Sequence, residues 1–320
     1  MRLTVLAAAL TGLTVATPAA AAPPDNVEQQ PGLDLFDIRT SEWVSLHFFA
    51  FHAARAMEGG DYGYTAVPLR PEDAALLENP TIAAEFAPLA EAYAPLLKGR
   101  LFRGGLFSVV KALTDPDAID PEIRAPFDAF MPTYRRYFWA RHRAFAELAK
   151  ADLEAKLAAH GPALLAATAA ELDATWGDSG YVAYLSPYVN WAGAFSNDNM
   201  LFFSATDENY SRHRLEMFVH ETAHGSPIGD TIDPAAEAAL AAAGLENDRF
   251  WHYLLFYATG RAAKRVLGDD YATYIETTGL RTHRGSKPWY DALEAVWDEH
   301  DTLEERAIAA AAMVAAQQDQ

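Results

Sequence analysis

Arg214-Leu-Glu-Met-Phe-Val-His220-Glu221-Thr-Ala-His224 places two histidines four residues apart, with a glutamate directly after the first. Four residues is close to one helical turn, so on a helix both imidazoles face the same way and can reach one ion. Glu221, one position on, lies beside that ion rather than on it, where it can hold a water and take its proton. Leu215, Phe218 and Val219 supply an apolar side for burial, which predicts a helix over about 207–225.

The surroundings of this helix change texture. Before it, Tyr181–Ser186 reads as a strand rich in aromatic and branched residues, and 191–195 and 200–204 read as two more. Ser196-Asn-Asp-Asn199 between them is turn chemistry for a hairpin. Beyond it the pattern is helical near 233–243, from about 246 to 267, and again to the end, with the Ala-rich 308–316 as a terminal helix. Upstream, helical periodicity covers 41–57, a helix opening at Pro71-Glu72-Asp73, and then 81–98, 104–113 and 125–172. The last is expected to break near Gly161-Pro162. The fold class expected is therefore α+β and mainly helical. A helical region at 35–175 precedes a metal-binding region at 176–320 with a small sheet.

Composition narrows the function. At 51% hydrophobic and 22% charged residues, the 320-residue chain is globular rather than disordered. Without cysteine it has no thiolate ligands, thiol nucleophile or disulfides. Lys+Arg 25 against Asp+Glu 44 gives a net charge of -19, so no nucleic-acid partner is expected. No Gly-rich phosphate loop and no Ser-His-Asp pattern appears.

Residues 1–21 have the layout of a secretory leader. Arg2 is followed by an apolar run from Leu3 to about Val15 and by small residues, with a cut expected after Ala21. That run is too short for a stable bilayer span. A Pro- and Gln-rich lead-in at 22–34 follows. The expectation is a periplasmic or secreted protein with no stable membrane insertion once the leader is removed.

At His220-Glu-Thr-Ala-His224 the chain resembles the zincin metallopeptidases, over about Tyr181 to Leu267. The order Val-Asn-Trp-Ala-Gly-Ala, HExxH, then Trp251-His-Tyr-Leu-Leu-Phe-Tyr-Ala-Thr-Gly260 is similar to a group of uncharacterised exported bacterial proteins regarded as zinc peptidases. The resemblance implies a zincin-like core, in which the HExxH helix lies under a small sheet whose edge strand pairs with an extended substrate. It also implies Zn2+ as cofactor, a peptide or protein as partner, His220 and His224 as ligands and Glu221 as general base.

Three residues compete for the third ligand. His252 lies within the apolar Phe250-Trp-His-Tyr-Leu-Leu-Phe and ranks first. Glu246, 22 residues after His224, is the runner-up and resembles the gluzincin arrangement. Asp230 stands at the metzincin spacing, but Pro227 replaces the glycine that pattern needs, so it ranks third. Tyr253, Tyr257 and Arg261 could steady an oxyanion, though packing and surface roles suit them better. His47 and His52 read as core or cleft-lining, and His142 and His213, set among arginines, as surface. The reaction expected is zinc-dependent peptide hydrolysis. The alternatives are a non-catalytic zinc-binding protein of the cell envelope, and a helical interaction protein whose motif is accidental.

Overall fold

The computed structural model describes residues 33–59, 67–97, 120–189, 193–197, 199–225 and 227–318. The leader and its cut site, most of the lead-in and the helix expected at 104–113 lie outside the described residues.

A four-stranded sheet organises the molecule. Strands β1 (Phe36–Thr40), β2 (Tyr181–Ser186), β3 (Ala194–Asn197) and β4 (Met200–Ser204) lie in the order β1-β2-β4-β3. β1 and β4 run parallel to β2, while β3 is antiparallel to β4 and outermost. Side chains alternate faces along a strand, and here the alternation divides two cores. Ile38, Tyr181, Ala183, Leu185, Leu201 and Phe203 enter one; Tyr184, Phe195 and Phe202 enter the other.

The second core is aromatic and is covered by α1 (Glu42–Glu58), α3 (Pro80–Leu97) and α4 (Pro121–Tyr134), with α2 (Pro71–Leu77) alongside α3. Phe48 meets Phe195 and Phe202 edge-on, both at 5.8 Å between centroids. A π-helical turn, Arg135–Trp139, leads from α4 into α5 (Ala140–Glu171), which crosses to the other face of the sheet. That face carries α6 (Glu208–Arg212), α7 (Arg214–Ala223), α8 (Ile228–Ala243), α9 (Phe250–Leu267), α10 (Tyr274–Thr277), α11 (Lys287–Val296) and α12 (Leu303–Gln318).

The chain is thus mainly helical with one small sheet, as its pattern suggests, but several expectations change. The region at 35–175 is not purely helical, since it contributes β1. Only Ile38 in Phe-Asp-Ile-Arg-Thr is buried, so periodicity is faint and pairing with β2 makes it a strand. α5 continues through Gly161-Pro162, because Leu157, Leu164 and Leu165 bury around the proline and packing outweighs its lost hydrogen bond. β3 runs on through Ser196 and Asn197, which were expected in the turn. No helix among the described residues is long and apolar enough to cross a membrane.

Candidate metal centre

The helix expected over 207–225 is two helices. It breaks at His213, which caps the end of α6 and precedes α7. α7 is buried along its whole length, between β3, α5 and α9. Its last turn carries His220 and Glu221, and His224 is its C-terminal cap. Pro227 then opens α8, so the chain turns away directly after the second histidine.

His252 comes from the first turn of α9, which begins at Phe250 rather than near 246. Phe250 is fully buried against Trp289, ring centroids 4.5 Å apart, and Leu254 and Leu255 are buried beside it. This anchorage points His252 back at α7. The Nε2 atoms of His220 and His252 lie 3.2 Å apart, as do those of His224 and His220. One ligand atom from each of the three histidines falls within 4.8 Å of the other two.

A neutral imidazole nitrogen either donates or accepts. His220 Nε2, 3.2 Å from two others, donates to one of them or accepts, depending on its tautomer. Three nitrogens at about 2.0–2.1 Å from a tetrahedral zinc would be separated by about 3.3 Å. Burial holds His220 and His252 well below the usual histidine range, reinforced by the neighbouring imidazoles, and pushes His224 down to about 4. All three are thus neutral at pH 7, the form in which imidazole binds metal. The donor set fits a divalent ion of zinc's chemistry.

Glu221 stands alongside, its Oε2 4.0 Å from His224 Nε2. Burial pushes its carboxyl up to about 8, partly offset by a hydrogen bond from the Ser196 hydroxyl. Ser196 reaches it because β3 packs on α7 and strand alternation puts Ser196 on the same face as Ala194. Trp251 closes one side of the cluster, 5.3 Å from His224 between ring centroids, and Phe256 stacks on His220 at 3.8 Å.

The rival ligands are elsewhere. Glu246 is exposed in the loop before α9, and Asp230 is exposed on the first turn of α8. Neither belongs to the cluster. Tyr253, Tyr257 and Arg261 project from the opposite side of α9, the tyrosines against Tyr290 and Trp297 and the arginine toward Glu171 and Asp298. His47 and His52 are core residues, bonded to the Tyr93 hydroxyl and the Val189 carbonyl. His142 and His213 are buried, contrary to the surface reading. His142 bonds Asp73 and the Tyr134 hydroxyl; His213 bonds the Tyr271 and Thr277 hydroxyls. Their neighbouring arginines suggested solvent, but a histidine with both ring nitrogens satisfied can be buried at little cost.

Ser196 and Phe256, which touch Glu221 and His220, were not legible in that role. Phe256 follows His252 by four, a spacing that could have revealed it; Ser196 carries no such signal. Searches of protein-family models, curated proteins and solved structures gave no match to the chain.

Proposed function

We propose that the protein is an exported zinc-dependent hydrolase, a metallopeptidase with a zincin-like core. The observation that carries this reading is the convergence of His220, His224 and His252 from two helices, with the Glu221 carboxylate 4.0 Å from one of them. His220, His224 and His252 would hold Zn2+, with Glu221 alongside. When bound, such an ion supplies Lewis acidity, acidifying water and polarising a carbonyl oxygen.

The remaining steps belong to the chain. Glu221 lies beside three cation-binding nitrogens, and a nearby positive charge favours its ionised form. Its Oε2 takes a proton from the attacking water and passes it to the leaving amine nitrogen. Ser196 donates to this carboxyl from β3, the outermost strand of the sheet, and an extended peptide pairing with that strand would run near the base. Trp251 against His224 and Phe256 over His220 give the histidine cluster apolar neighbours. Export is supported by residues 1–21, which have the composition of a cleavable leader.

The test is Glu221→Gln in the mature chain, assayed against a peptide library with metal content measured in parallel. Metal and fold should persist while turnover falls about 10²–10⁴-fold. Unchanged turnover refutes the role of Glu221. A wild-type chain that binds zinc but cleaves no peptide supports the non-catalytic alternative instead.

A further inference from the structure

His220 is fully buried, and its Nδ1 has no hydrogen-bond partner among the described residues. This is unusual for a ligating histidine, whose second nitrogen ordinarily donates to a carboxylate or carbonyl that fixes the ring. Another contact takes that place. The Phe256 ring lies over the imidazole with centroids 3.8 Å apart and planes 23° from parallel. Behind it stands Tyr274, its ring 5.8 Å from Phe256 and 6° from parallel.

Much of the surrounding structure serves to hold Tyr274. Its backbone N–H donates to both oxygens of Glu216, at 3.0 and 3.1 Å. Glu216 is itself buried, accepts the Tyr271 hydroxyl at 2.9 Å, and precedes His220 by one turn of α7. A capping box between Thr273 and Glu276 starts α10 at this residue. Gly260, one turn beyond Phe256 on α9, lets the segment close in. A Cβ there would meet Thr273 Cγ2 at 3.2 Å and Glu216 Oε1 at 3.6 Å. The column Tyr274–Phe256–His220 is therefore tied at its far end to the helix that carries the ligand.

We propose that Phe256 is a positioning residue for the His220 ligand, backed by Tyr274, and that this aromatic column replaces the usual hydrogen-bonded orientation of the ring. The proposal rests on the metal-site reading above. It predicts that metal affinity depends on the Phe256 ring face and on ring bulk at 274.

The test uses the mature full chain. Zn2+ affinity is measured by competition with a chromophoric chelator, and Co2+ absorption reports the geometry of the ligands. Phe256→Leu should weaken Zn2+ binding about 10–100-fold, the loss found when a hydrogen-bonded orienting partner is removed, and should change the Co2+ bands. Tyr274→Ala, which removes the backing ring, should also weaken Zn2+ binding, by less than Phe256→Leu does. Unchanged affinity and Co2+ spectrum in Phe256→Leu overturn the proposal. Should that variant fail to fold, proton NMR of the metal-free wild type decides. The His220 ring C–H signals, assigned through His220→Gln, should be displaced upfield by Phe256. Ordinary histidine shifts overturn the column. Absence of any metal binding by the wild type would instead refute the metal centre itself, while the NMR measurement still tests the stack.

Discussion

Replacing Gly229 with alanine should damage the proposed metal centre without touching a proposed ligand. Gly229 sits in the first turn of α8, its N–H bonded to the Gly225 carbonyl at 3.0 Å. A Cβ at this position would lie 2.7 Å from the His224 carbonyl oxygen and 3.4 Å from its carbon. The first contact is closer than real Cβ atoms show, and its partner is backbone, which cannot swing aside. α8 cannot easily retreat either, because Ile228, Ile232, Ala236 and Ala239 are buried along it. Two effects oppose each other. Alanine in a helix gains about 0.5–1 kcal/mol over glycine, whereas overpacking costs about 1–3 kcal/mol. The net should be a loss of about 1 kcal/mol, lowering the Tm of the metal-free protein by about 2–4 °C. Relief by shifting His224 is costlier for metal than for stability, since ligand distances tolerate only about 0.2 Å. Zn2+ affinity should fall at least about ten-fold. Calorimetric melting of the metal-free chain and chelator competition give both numbers. A variant with equal or higher Tm and undiminished Zn2+ affinity would show that the close approach of α8 to His224 does not constrain the site.

Removing the proposed third ligand by His252→Ala should abolish stoichiometric zinc on elemental analysis, while Glu246→Ala keeps it; the reverse pattern reassigns the ligand. Zinc added to the metal-free wild type should raise its Tm progressively as concentration exceeds Kd, and should not do so in His252→Ala. On the other face of the sheet, Asp73 is buried between α2 and α5. Burial alone would raise its pKa, but His142, Tyr188 and Arg141 together hold it down at about 2 against an ordinary 3.8. A carboxyl with a lowered folded value stabilises above its unfolded pKa and loses that contribution as the pH falls through the folded one. Stability worth about 2 kcal/mol should therefore disappear between about pH 4 and pH 2. Urea midpoints across that window would show it, and Asp73→Ala, destabilised by about 3 kcal/mol at pH 7, should lack the decline. An unaltered acid slope in the variant would remove Asp73 as its source.

Local spacing determined a good deal on its own. The four-residue interval of His220 and His224 fixes a shared helix face whatever the rest of the fold does, and Glu221 follows by position. Tyr181–Ser186 and Met200–Ser204 declared themselves as strands because branched and aromatic side chains fill their faces. Helix ends were less legible: α7 starts only after a break at His213, and α9 opens at Phe250 with His252 in its first turn.

Whatever depended on distant partners was settled by tertiary structure alone. His252, Glu246 and Asp230 were each chemically sound candidates for a third ligand. Only the seating of α9, through Phe250 against Trp289, brings one to the other two histidines. β1 is a strand because β2 offers it hydrogen bonds, not because of its own weak pattern. His142 and His213 are buried because Asp73, Tyr134, Tyr271 and Thr277 meet them there. The His220–Phe256–Tyr274 column joins three segments through contacts that no periodicity encodes. A helix face is a property of a few consecutive residues; a ligand set, a buried polar pair and a stacked column are properties of chains packed together, and only packing chooses among the candidates.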